Sequence, residues 1–119
     1  MEFDERELIA EFFPGTDPKL FPPGEVLYYR DDEGRVVIEE APFKVVFEPV
    51  KKVHPPRPLV CEACKRPIRG ADARFFRVRV ARAEGEVYRY VALCEATALC
   101  RERARPASLR SLLLKGILP

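Results

Sequence analysis

The spacing of four cysteines, C-x2-C, then 29 residues, then C-x5-C, constrains this 119-residue chain more than any other feature. Cys61 and Cys64 are two residues apart, which lets one tight turn aim both thiolates at a point about 2.3 Å from each sulfur. Residues 74–83 and 86–93 are strand-like and joined around Glu84-Gly85, so a hairpin carries the chain back. A short helix is expected over residues 94–105, ended by Pro106. Six residues apart on one regular helix, Cys94 and Cys100 would point about 240° apart. Cys94 is therefore expected in the turn before the helix, with Glu95 or Thr97 as cap, and Cys100 inside it. Strand parity puts Cys94 on the face of Tyr88, Tyr90 and Ala92. Knuckle, hairpin and helix in that order make a treble-clef arrangement around one structural Zn2+ held by Cys61, Cys64, Cys94 and Cys100.

A half-domain of about 60 residues buries little core and commonly needs a staple. Structural zinc supplies on the order of 10 kcal/mol or more. Four thiolates on Zn2+ carry a net −2, which Lys65, Arg66, Arg69, Arg101 and Arg103 would offset. The other readings are two disulfides, a redox-active C-x-x-C and a nucleophilic Cys61. A reducing compartment opposes the first, and the lack of a βαβ pattern opposes the second. His54, the only histidine, falls in a proline-rich stretch, and four sulfurs already complete a tetrahedron. A closed site has no open position for a substrate, so no enzyme activity and no small-molecule substrate are expected. A nuclease of the HNH type would need histidines on the hairpin and helix.

Charge is unevenly spread. Residues 1–50 hold 5 Lys/Arg and 13 Asp/Glu, while residues 51–119 hold 16 and 6. The basic half suits an acidic or polyanionic partner, or else the two halves neutralise each other. The chain lacks Asn, Gln and Trp, has 12 Pro, and uses 15 Arg against 6 Lys, a composition of heat-adapted proteins. No apolar run nears the roughly 18 residues of a membrane span. The acidic start, without a signal peptide pattern, leads to a cytoplasmic expectation and no membrane partner.

Along the chain, Asp4 and Glu7 form a capping box for a helix with a stripe of Leu8, Ile9, Phe12 and Phe13, stopped by Pro14-Gly15. Strands are expected over 26–30, 35–40 and 43–48, the first two joined by the Asp31–Gly34 turn. This acidic meander should pack on the first helix. Residues 49–58 hold four prolines and read as a semi-rigid linker. The expected architecture is α+β: an acidic subdomain over 1–50, a linker over 51–58, and a basic treble-clef domain over 59–119. Ser108 should cap a last helix carrying Leu109, Leu112 and Leu113, with Gly116 at its end.

Arg74, Arg77, Arg79, Arg82 and Arg89 decorate the hairpin, interleaved with Phe75, Phe76, Tyr88 and Tyr90. Phe76, Val78 and Val80 should face the core, with Arg77 and Arg79 opposite. Basic residues beside aromatics suit RNA or DNA contact, an acidic protein surface, or an ordinary solvated face.

Residues 59–64 (Leu-Val-Cys-Glu-Ala-Cys), 74–78 (Arg-Phe-Phe-Arg-Val) and 90–100 (Tyr-Val-Ala-Leu-Cys-Glu-Ala-Thr-Ala-Leu-Cys) resemble the C-terminal treble-clef zinc finger of the elongation factor G-binding family. Fusidic-acid resistance proteins are its best-known members. The resemblance covers about residues 57–105. It implies that the four cysteines are metal ligands and that a partner lies in the translation machinery, elongation factor G or the ribosome. Two features depart from the family: the last pair is spaced by five residues where four are common, and residues 1–50 lack the helical N-terminal domain. Zinc binding carries over, and drug resistance does not.

Overall fold

Alternating apolar and polar residues, broken by Gly, Pro and Asp, set the strands. The computed structural model describes residues 5–20, 24–51, 59–82 and 85–118. Helix α1 is Glu5–Phe12. Strands β1 (Leu27–Arg30), β2 (Val36–Glu40) and β3 (Phe43–Pro49) follow. The β1–β2 turn is closed by the Asp31 carboxylate, which accepts from the backbone N–H groups of Glu33 (3.0 Å) and Arg35 (2.8 Å). Gly34 there takes φ +80°, a conformation that costs glycine nothing. The short strands β4 (Leu59–Val60) and β5 (Pro67–Ile68) pair with each other. Strands β6 (Ala73–Arg82) and β7 (Gly85–Cys94) form the long hairpin, and α2 (Thr97–Arg103) and α3 (Pro106–Ile117) end the described chain. The chain is α+β, with a five-stranded antiparallel sheet in the order β1-β2-β3-β6-β7.

The sheet runs across the proline-rich stretch. Glu48 pairs with Arg77 and Pro49 with Phe76, and the Val50 N–H donates to the Phe75 carbonyl at 2.9 Å. One core draws on both sides: Tyr28, Ile38, Val45 and Phe47 from the first stretch, Phe76, Val78, Val80 and Leu93 from the second, and Leu109, Leu112 and Leu113 from α3. Burying side chains of this size yields about 1.5–3 kcal/mol each. The expected core face of β6 is therefore the one observed. Of the expected linker, residues 52–58 lie outside the described residues, His54 with them, as does the Asp4 cap.

Three local expectations need correction. The acidic meander packs on α3 and, through β1, on α2. With α1 it makes no contact of that extent among the described residues, and Leu8 and Phe12 of that helix are exposed, as is Phe13 just beyond it. Helix α3 starts at Pro106, with Arg105 as the N-cap residue and no side-chain cap bond. Proline's fixed φ suits the first helical position, which leaves Ser108 inside the first turn. Gly116 is not a cap but lies inside the last turn of α3. A Cβ there would collide with Val45 Cγ1 and come within 3.1 Å of Val78 Cγ2, so the missing side chain is what lets α3 approach the sheet. Gly116→Ala should lower stability by about 1–2 kcal/mol, despite an intrinsic helix gain of about 1 kcal/mol. Urea unfolding monitored by circular dichroism measures the difference.

Candidate metal centre

The first two cysteines sit on a turn held by backbone bonds. The Cys61 N–H donates to the Arg66 carbonyl (2.9 Å), and the Lys65 N–H donates to the Cys61 carbonyl (2.9 Å). Lys65 takes φ 63°, the left-handed conformation that a side chain resists by about 1–2 kcal/mol. The Glu62 N–H donates to the Ala92 carbonyl at 3.0 Å, fixing the turn to β7. Lys115 Nζ donates to the Glu62 carboxylate at 3.2 Å, fixing it to α3.

The second pair comes from the hairpin and the helix. Cys94 is the last residue of β7, opposite Ala73, on the strand face of Tyr88, Tyr90 and Ala92. The Glu95 N–H donates to the Asp72 carbonyl (2.8 Å), anchoring the turn that follows. Helix α2 begins at Thr97, so Cys94 precedes it and Cys100 lies one turn in. Its N-cap residue is Ala96, with no side-chain cap bond. Neither Glu95 nor Thr97 caps it, and the Thr97 Oγ1 is buried without a partner.

All four sulfurs lie within 4.8 Å of one another. Cys61 and Cys100 are 3.6 Å apart, as are Cys64 and Cys94. A disulfide needs about 2.05 Å, and all four residues are free cysteines. A tetrahedron with metal–sulfur bonds of about 2.3 Å has edges of about 3.8 Å. The donor set therefore fits a divalent cation such as zinc.

Acidity within the cluster agrees with that fit. Hydrogen bonding from Cys100, opposed by burial and helped by the backbone N–H groups of Cys64, Ala63 and Cys94, holds the Cys61 thiol down at about 4. Cys94 is pushed up to about 12, by burial first and then by the charge on Cys61. Cys100 is raised by its bond to Cys61 and by burial, while the Tyr28 hydroxyl pulls it the other way. Cys61 is thus the thiol most ready to ionise, and Cys94 and Cys100 resist ionising beside it. A cation at the centre removes that resistance, because a coordinating thiol is deprotonated outright.

Tyr28, from the far edge of the sheet, was not among the residues singled out by sequence. It is 1% exposed, and its phenol is held far above its usual range by burial and then by Cys100. Helix α2 follows β7 yet packs on β1, so the coiled sheet brings its two edges to one short helix. A groove of about 570 Å3 opens beside the cluster, with Arg69 and Arg103 among its walls.

The hairpin arginines do not share a surface. Arg77 and Arg79 stand on the outer face, across from Tyr90 and Tyr88. Arg77 Nε donates to Glu48 at 3.3 Å, and its guanidinium lies 4.4 Å from the Tyr88 ring centroid. Arg79 pairs with Glu86 at 3.0 Å. Arg74 and Arg89 fall on the opposite face by parity, opposite Leu93 and Val78. Arg89 Nη1 donates to the Lys115 carbonyl at 2.7 Å, in the last turn of α3, where a cation is favourable. The Arg82 side chain lies outside the described residues.

Among the described residues no helix is long and apolar enough to cross a membrane. Comparison with family models, curated proteins and solved structures finds no match to this chain.

Proposed function

We propose that the chain is a non-enzymatic zinc-binding protein with a treble-clef finger, whose metal closes the fold and whose outer β6–β7 face contacts a protein partner. The convergence of four sulfurs within 4.8 Å carries this reading. Four sulfurs fill a tetrahedral shell, and a filled shell leaves no position for a substrate or an activated water. The metal is on this reading structural.

The outer face supports a protein partner over a nucleic acid. Tyr90 is 63% exposed and Tyr88 41%, a high exposure for large amphipathic side chains. The adjacent cations are already matched by Glu48 and Glu86, so the surface is mixed in charge and not a phosphate track. Together with the resemblance of residues 57–105, this makes elongation factor G or the ribosome the partner to test.

The test is capture of purified elongation factor G, and separately of ribosomes, by the zinc-loaded chain. Tyr88→Ala with Tyr90→Ala should reduce capture at least about tenfold, as loss of aromatic anchors does at interfaces. Capture unaffected by the double substitution would reject this face. Binding of isolated ribosomal RNA with a steep salt dependence, and no capture of elongation factor G, would replace the protein partner by a nucleic acid.

A further inference from the structure

The Tyr28 hydroxyl poses a problem that its ring does not. The ring belongs to the core, beside Ile38 on β2, where phenylalanine would pack as well. The hydroxyl oxygen is buried, and no group bonds it with good geometry. A buried hydroxyl without a partner is costly, and native proteins retain few of them. The sulfur of Cys100 lies within its reach. Tyr28 is held there from both sides: β1 pairs residue by residue with β2, and α2, which carries Cys100, packs on β1.

A neutral thiol is a weak acceptor. A metal-bound thiolate is a strong one, because a hydrogen bond to an ionised acceptor is roughly twice as strong as a neutral one. The state that satisfies Tyr28 is therefore the metal-loaded state. We propose that the Tyr28 hydroxyl donates to the Cys100 thiolate when the metal is bound, making strand β1 part of the metal centre from 33 residues upstream of Cys61. This rests on the metal reading above. It also gives the first fifty residues a role there: they supply the donor that orients a ligand and balances charge on its sulfur. Such outer partners typically govern 10- to 100-fold of metal affinity, roughly.

The test is Tyr28→Phe in the full chain, with three readouts. In competition against a chelator, its zinc affinity should fall about 10- to 100-fold. With Co2+ in place of zinc, its sulfur-to-metal charge-transfer band should move to lower energy, because the hydrogen bond stabilises the sulfur lone pair. Urea unfolding of the metal-loaded protein should show a loss of stability that matches the loss of zinc affinity. A loss of stability with zinc affinity unchanged would give the hydroxyl some other partner and overturn the proposal. Unchanged affinity with an unshifted band would do the same. Wild-type protein that takes up neither Zn2+ nor Co2+ would instead defeat the metal reading itself, so the two failures are separable.

Discussion

Removing the metal with a chelator, or replacing Cys100 with serine, should unfold the sheet and helices together in one transition. Structural zinc contributes on the order of 10 kcal/mol of folding energy. A whole domain of this size is stable by only about 5–15 kcal/mol, so no other single group here matters as much. The cooperativity follows from the core. Cys61 and Cys100 are themselves buried in the cluster that holds Tyr28, Phe47, Phe76 and Leu112, so the sulfurs cannot separate while that cluster stays packed. The two probes to compare are circular dichroism and tyrosine fluorescence, followed as chelator is added. Residues 1–50 staying folded after chelation would show that the shared sheet is not a shared folding unit.

Arg110→Ala should cost about 2–3 kcal/mol, the second greatest loss. Glu40 is buried, its side chain only 4% exposed, and Arg110 Nη2 reaches it at 2.8 Å. Arg110 Nε adds contacts at 3.2 and 3.0 Å to the two carboxylate oxygens, so the guanidinium grips the carboxylate as a fork. Breaking a fully buried pair costs about 3–5 kcal/mol. Here the arginine is one-third exposed, and water screens part of that. Replacing both residues with leucine should recover most of the loss, since a buried pair is often no better than an apolar one of like volume. A double-mutant cycle by urea unfolding measures both. The contact also explains part of the uneven charge: Glu40 on Arg110 and Glu48 on Arg77 are acidic residues of the first fifty neutralising the basic remainder. The exposed pairs, such as Arg79 with Glu86, contribute roughly 0–1 kcal/mol.

Much of this was legible in the residue order, because the signals were local. Alternation located β1 to β3 and the hairpin, and it put Phe76, Val78 and Val80 inside. The two-residue gap between Cys61 and Cys64 marked a turn, and helix geometry separated Cys94 from Cys100. What escaped was long-range. Pairing of β3 with β6 joins residues on either side of a proline-rich stretch, and no local pattern encodes it. The same holds for Arg89, whose strand position suggested a solvated basic face and whose partner is a carbonyl of α3. Tyr28 escaped because a tyrosine in an alternating strand looks like any other. Only the coiling of the sheet sets it against Cys100. The helix caps failed for a smaller reason: Ala96 and Arg105 take the cap positions without side-chain bonds, and the nearby Thr97 and Ser108 are one and three residues too late.

Titration of the metal-free protein with Co2+ addresses the convergence of the four sulfurs directly. One equivalent should give the intense visible bands of a tetrahedral ion together with sulfur-to-metal charge transfer, and Zn2+ should then displace it. A weak octahedral spectrum, or four thiols that still react freely with the ion present, would mean that the sulfurs do not share a cation.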